Sequence, residues 1–426
     1  MCPDLAVVNI SQMVTNSGCV AGKPIDEDSI GLVHDAAMLV EGGRVIWVGT
    51  MKEYKTKTLG KPARTLDAAQ RLVTPGFVDP HTHLIFAGGR QDEFDRKIKG
   101  ESYKRILSSG GGILRTIRAT RDSSNKILLI EALDRLLQLK ASGVTTVEVK
   151  SGYGQDLANE VKMISVANQL GEMSGVEIIN TFLGLHAVPP ECKSANDYTK
   201  FVINNILPEI AKLPHRPKFS DCFCESDLFS RDFCSRYLKA SALLGFNLKI
   251  HADEFSESGG AELAANLGCT SADHLENSTE EGLKAMAEKG VVAVLLPSTA
   301  LYSSIRPADA DRIQKNGCVL SLGTDLSPNS WVESPQLVML LACTTMRMSI
   351  AQALAAFTWG ASLALGRSDL GRLVQGAKAD FTIHEYHDYR YLPYRVGGRY
   401  VTSVYKAGKE IYRNPESDTK PKNIGG

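Results

Sequence analysis

Residues 73–88 read VTPGFVDPHTHLIFAG. An apolar run ends on an acid, a proline and the pair His81-Thr82-His83, and small residues follow. In a strand, residues i and i+2 face the same way, so both imidazoles converge on one point from a rigid support. A bare His-x-His also fits two unrelated histidines in a strand-to-loop turn, and the rest of the chain has to separate the two readings. Downstream, short apolar runs alternate with stretches of helical period, the pattern of βα units feeding a parallel sheet. Residues 76–83, 144–150, 176–185, 218–224, 246–251, 271–274, 291–296 and 319–325 are candidate strands. They match the strand number of a (β/α)8 barrel, which predicts an α/β fold of the TIM type.

Polar side chains recur where such strands end. His251 closes the fifth run (LKIHADE), His274 the sixth (SADHLEN) and Asp325 the eighth (LSLGTDLSPNS). Active sites of these barrels lie at the carboxyl ends of the strands. The expected metal ligands are His81, His83, His251 and Asp325. Imidazoles with one carboxylate suit a single zinc or iron ion better than calcium or magnesium, which prefer oxygen shells.

Both chain ends differ from the middle. Strand-like runs at 5–10, 36–40 and 44–49 match others at 379–383, 400–406 and 410–412 around a turn at Ala407-Gly408. The expected organisation is a small β-sandwich domain built from residues 1–74 and 376–426, the latter with a polar tail, around a metal-binding (β/α)8 barrel at 75–375. Between strands, 125–140 (NKILLIEALDRLLQLK) reads as a packing helix with Ile127, Ile130, Leu133, Leu136 and Leu137 at helical spacing. The glycine-rich run 108–112 is either a lid or a plain linker.

Composition narrows the partner. Lysine plus arginine and aspartate plus glutamate both number 48, so no net field favours nucleic acid or an anionic membrane. A small molecule is the expected ligand. Nine cysteines, odd in number and irregularly spaced, predict reduced thiols in the cytosol. The first residues carry no secretory pattern, and no run is long enough to span a membrane. Cys222-Phe223-Cys224 lacks a second pair and reads as buried strand. Lys150 ends the second strand.

Pro75-Gly76-Phe77-Val78-Asp79-Pro80-His81-Thr82-His83, followed by late His, His and Asp, resembles the amidohydrolase superfamily of metal-dependent barrel hydrolases. Val40-Glu41-Gly42-Gly43-Arg44-Val45 and Gly376-Ala377-Lys378-Ala379-Asp380-Phe381 look like strands of its accessory β-domain. Four further motifs are similar to the imidazolonepropionase family: HLIFAGGRQDEF from His83, EVKSGYG from Glu148, FLGLHAVPPE from Phe182 and HADEF from His251. That resemblance implies hydrolytic opening of 4-imidazolone-5-propanoate to N-formimidoyl-L-glutamate in histidine degradation, and a homodimer.

The residues suit that chemistry. Glu254 is placed to carry a proton from water to the departing ring nitrogen, although an acid at a helix start is also ordinary. His274 could hold the water or polarise the carbonyl, and Asp325 could share the proton work. Arg90 offers a planar fork for a propionate. The resemblance implies substrate contacts for Tyr153 and His186, for Glu254 itself, and less strongly for Tyr103. Ser327, Asn329 and Ser330 follow Asp325 in DLSPNS, which departs from the Asn-Pro-Gly arrangement of many members and leaves open which of the three touches substrate. A deaminase of a nitrogen heterocycle would share the metal site, and a non-catalytic scaffold would have no use for it.

Overall fold

The computed structural model describes residues 3–57, 60–101, 105–106 and 110–416. The chain opens with β1 (Leu5–Val14), β2 (Leu32–Glu41), β3 (Arg44–Thr50) and β4 (Arg64–Pro75). The barrel strands are β5 (Phe77–Asp79), β6 (Val144–Lys150), β7 (Glu177–Leu185), β8 (Phe219–Cys224), β9 (Asn247–Ala252), β10 (Ser271–His274), β11 (Val292–Leu295) and β12 (Leu320–Leu322). β13 (Phe381–His384), β14 (Val401–Lys406) and β15 (Lys409–Arg413) end the chain's regular structure.

Each barrel strand pairs in parallel with the next, from β5 through β12. β5 is only three residues long, so His81 and His83 lie beyond it rather than within it. They keep their common direction because Thr82 bridges to Leu326. Asp325 N donates to His81 O at 3.1 Å and His83 N to Leu326 O at 2.9 Å. Buried Asp79 adds a clasp, accepting from Thr324 N at 3.1 Å and Thr324 Oγ1 at 2.6 Å. The first and last strands are thus joined, and the seam of the barrel is also where the His-x-His pair sits.

The second sheet has the order β15-β14-β13-β4-β1-β2-β3, so residues from both chain ends complete it. Side chains of β1 alternate between two apolar clusters. Leu5 and Val7 pack with Phe381 and Tyr405, while Ala6 and Val8 pack with Leu39 and Met51. The second cluster lies under a short helix, Met51–Thr56, whose capping box pairs Thr50 with Glu53.

Where β7 begins, on the barrel face opposite the histidines, Glu177 ties the barrel to the end-sheet. It pairs with Arg367 at 2.5 Å, Lys378 at 3.0 Å and Lys406 at 2.7 Å. These cations outweigh burial and hold its carboxyl well below the usual carboxylate range. A carboxyl depressed in the folded state contributes stability above its unfolded pKa and loses it as pH falls through the folded value. Glu177→Gln is therefore expected to destabilise by about 1–3 kcal/mol at pH 7. The gap to wild type should narrow below about pH 4, read as urea midpoints across that range; a gap independent of pH would remove the role.

The helix Asn125–Ala141 forms as its spacing predicts, with Ser124 accepting from Ile127 N at its start. Its inward face differs from the expected one. Leu128, Ala132, Arg135, Leu136 and Leu139 are buried, whereas Ile127, Ile130 and Leu137 are exposed. Apolar residues surround this helix, so period alone does not choose a face. Arg135 settles it by donating to Leu84 O at 2.9 Å and Phe86 O at 3.1 Å, with its guanidinium 3.6 Å from the Phe86 ring centre. An arginine thus braces the loop that leaves His83.

Candidate active site

At the carboxyl ends of the strands the structure brings His81, His83 and Asp325 into one group, and His81, His251 and His274 into another, with the candidate ligand atoms of each group within 4.8 Å of one another. All five residues are buried. His81 Nε2 and His83 Nε2 each lie 3.4 Å from Asp325 Oδ1. Two ligands about 2.05 Å from a tetrahedral ion are about 3.3 Å apart, so this spacing suits a metal. His81 Nε2, His251 Nε2 and Asp325 Oδ1 are buried with no hydrogen-bond partner. Unpaired lone pairs facing each other are costly unless a cation takes them. By donor set and spacing, the residues fit a zinc- or iron-type ion.

Beneath this group lies a layer of buried charge. His81 Nδ1 pairs with Asp273 Oδ2 at 2.6 Å and His251 Nδ1 with Asp221 Oδ1 at 3.2 Å. Each contact leaves the Nε2 lone pair pointing inward, which fixes tautomer and ring orientation. Lys150 Nζ bonds Asp221 at 2.7 Å and Glu148 at 3.0 Å, and Lys249 Nζ lies 3.2 Å from Glu148. Lys150 is thus an ion-paired ammonium, raised above its ordinary range by those carboxylates against the opposing cost of burial. Burial, followed by Lys150 for His81 and by the neighbouring imidazoles of His186 and His251 for His83, disfavours a second proton and keeps both neutral, the form that binds metal. Burial likewise pushes Asp325 up to about 6.

The backbone is bent to make this site. Asp253 (φ 56°), His274 (φ 81°), Leu275 (φ 72°) and Asp325 (φ 49°) occupy positive φ without being glycine. Such residues cost on the order of 1–3 kcal/mol each and persist only where surroundings over-determine them. Asp253 shows how: its carboxylate accepts from Ser258 N, Gly260 N, Ala261 N and Ser278 Oγ, at 3.0, 2.9, 3.1 and 2.8 Å. Glu254 follows in the chain and is fixed by Asn277 Nδ2 donating to its carbonyl at 2.8 Å. Its carboxyl lies 3.6 Å from His274 Nε2. Burial and the acids Glu276 and Asp325 push that carboxyl well above the ordinary range.

Of the expected substrate residues, Tyr153, His186 and Glu254 stand against these histidines, while Arg90 and Asn329 line a neighbouring cavity of their own. His186 stacks on His83 at 5.0 Å between ring centres and is held neutral, near pKa 3, chiefly by burial. Tyr153 is 5.0 Å from His186 and 5.8 Å from His83. Arg90 gives Nε to Glu93 at 2.7 Å and keeps a buried Nη2 without a partner. Ser327 closes a turn, accepting from Ser330 N at 3.2 Å, while Ser330 Oγ is buried and unpartnered. Asn329 lines a cavity with Arg90 and Trp331. Tyr103 lies outside the described residues, as do Ser108 and Ser109 of the glycine-rich run. The far end of that run is pinned, with Gly112 N donating to Glu93 Oε1 at 2.9 Å.

Asp221, Asp273, Glu148, Lys249 and Glu276 were not anticipated. Charged residues inside apolar strands (VTTVEVK, FSDCFC, NLKIHA, SADH) are the signal for the first four, because buried charges persist only when paired, whereas Glu276 lies past the end of β10.

Comparison with known proteins fixes the family. The chain is 40% identical to an imidazolonepropionase of Geobacillus kaustophilus over 96% of its own length and 97% of the relative's. Identity to that of Myxococcus xanthus is 40%, with the same coverage. The chain belongs to the imidazolonepropionase family. An amidohydrolase family model also matches residues 221–412. The chain shares its fold with distant structures: a zinc-bound adenosine deaminase from Xanthomonas campestris superposes with TM-score 0.71 at 18% identity, covering 96% of this chain and 92% of that one. Guanine deaminase of E. coli does so with TM-score 0.71 at 16% identity, covering 96% and 99%. The eight-stranded barrel is the architecture expected from the strand count, and the sheet built from both chain ends the one expected from their similar strand-like runs.

Proposed function

We propose that this site performs its family's reaction, hydrolytic ring opening of 4-imidazolone-5-propanoate to N-formimidoyl-L-glutamate in histidine degradation, with one zinc or iron ion held by His81, His83, His251 and Asp325. The observation that carries the metal reading is the set of buried, partnerless donor atoms on His81, His251 and Asp325. When bound, such an ion lowers the pKa of a water molecule toward ~7 and supplies a nucleophile at neutral pH.

The chain's own groups supply the remainder. Glu254, buried and held high in pKa, accepts a proton from water and returns it to the ring nitrogen as the carbon–nitrogen bond breaks. His274, 3.6 Å from Glu254, polarises the ring carbonyl as charge develops on its oxygen. Arg90 directs Nη2 at the propionate, and Tyr153 and His186 form the wall against the ring. Asn329 and Ser330 are the better candidates for contact, because Ser330 Oγ is buried without a partner and Asn329 lines the cavity with Arg90, whereas Ser327 Oγ accepts from Ser330 N within its turn.

We assign the hydrolase barrel to 75–375, supported by the sheet from 1–74 and 376–426. The described cysteines are all free thiols, which supports a cytosolic home. No helix among the described residues is long and apolar enough to cross a membrane. A homodimer follows from the family resemblance, and light scattering would measure it.

A turnover assay with freshly generated substrate, product identified by mass and a no-enzyme control subtracted, tests the reading. Formimidoylglutamate should form, vanish after chelation and return with added zinc or iron. Failure of fully metal-loaded protein to make it would send the search to other nitrogen heterocycles.

A further inference from the structure

The helix Gln91–Ile98 follows the His-x-His loop, and Arg90, Glu93 and Lys97 are spaced along one of its faces. Arg90 and Lys97 line a cavity of about 180 Å³ together with Phe94, Tyr302, Asn329 and Trp331. The two cations differ in how they are balanced. Arg90 Nε bonds Glu93 Oε2 at 2.7 Å, and both side chains are buried, so this pair carries no net charge into the cavity. Lys97 Nζ donates to Asn329 Oδ1 at 2.6 Å, a neutral acceptor. Among the described residues no carboxylate forms an ion pair with it.

We infer that Lys97 is a further substrate-contacting residue and supplies the net positive charge that selects a carboxylate-bearing substrate, while Arg90 fixes that carboxylate's orientation. An ammonium has three donors and Asn329 takes one, so two remain for an anion. Arg90 has its buried, partnerless Nη2 for the same group. A carboxylate accepts from both at once. Burial, then Arg90, lowers the Lys97 ammonium below its usual range, a cost that an anion beside it relieves. The bond to Asn329 also links the helix after β5 to the loop after β12, so charge and cavity shape are set by one contact.

This inference rests on the substrate's being an anion, as the proposed function holds. Its test uses two inhibitors of the metal-loaded full chain, imidazole-4-propanoate and the uncharged 4-propylimidazole, against wild type, Lys97→Met, Lys97→Gln and Lys97→Arg. In wild type the anionic probe should bind more tightly. Lys97→Met should weaken it about 10- to 100-fold, leave the neutral probe within a few-fold and raise KM more than it lowers kcat. Lys97→Arg should restore most of the preference. The neutral probe also reports folding, and Lys97→Gln stands in if the methionine variant does not fold. A wild type without preference would count against the anionic substrate itself. A wild-type preference that survives in both neutral variants would overturn the role of Lys97 alone.

Discussion

Glu254→Gln is expected to retain its metal and lose about 10²- to 10⁴-fold in kcat. The carboxyl lies outside both ligand groups, so metal content measured on the purified variant should match wild type. Its backbone is anchored through Asn277 and the Asp253 turn, so the amide occupies the same place and lacks only the proton chemistry. KM should move little, because a proton carrier acts in the transition state more than in binding. Metal loss equal to that of a ligand variant would contradict the division of roles.

His251→Ala is expected to do the reverse. The imidazole is a proposed ligand with a buried, partnerless Nε2, and its Nδ1 rests on Asp221. Removing it takes away one ligand and leaves Asp221 to Lys150 alone. Bound metal should fall from stoichiometric to trace, with activity falling alongside. Excess zinc or iron should recover little of it, whereas the same addition to Glu254→Gln changes nothing. Circular dichroism separates loss of the ion from loss of the fold, and full metal occupancy in a folded His251→Ala would remove the ligand assignment.

Much of this site was legible because strand ends punctuate a barrel in order. His251, His274 and Asp325 each close an apolar run, and the His-x-His pair follows the first. The strand bounds moved by at most a residue, except at β5 and β12: β12 ends at Leu322, short of Asp325, and at β5 a proline after Asp79 removes a donor and the ladder gives way to the Thr82–Leu326 bridge. What stayed hidden depends on which residues meet across the barrel. Nothing local announces that Asp273 grips His81 or that Asp221 grips His251, since each pair is far apart in sequence. The inward turn of Arg135 and the neutral partner of Lys97 are equally long-range facts. The positive φ of His274 and Asp325 opposes local preference, which is why no propensity argument reveals it.

The seven-stranded sheet also sets an order of events during synthesis. β4 lies between β1 and β13, yet about 300 residues separate β4 from β13 in the chain. At about 5–20 residues per second, the first four strands wait tens of seconds for their partners to be made. Throughout that interval one side of β4 is an unpaired edge, and Leu5 and Val7 lack the cover of Phe381 and Tyr405. β5 through β12 all precede β13 in the chain, so the catalytic strands are complete in sequence while the flanking sheet still has an edge open to mispairing with neighbouring chains.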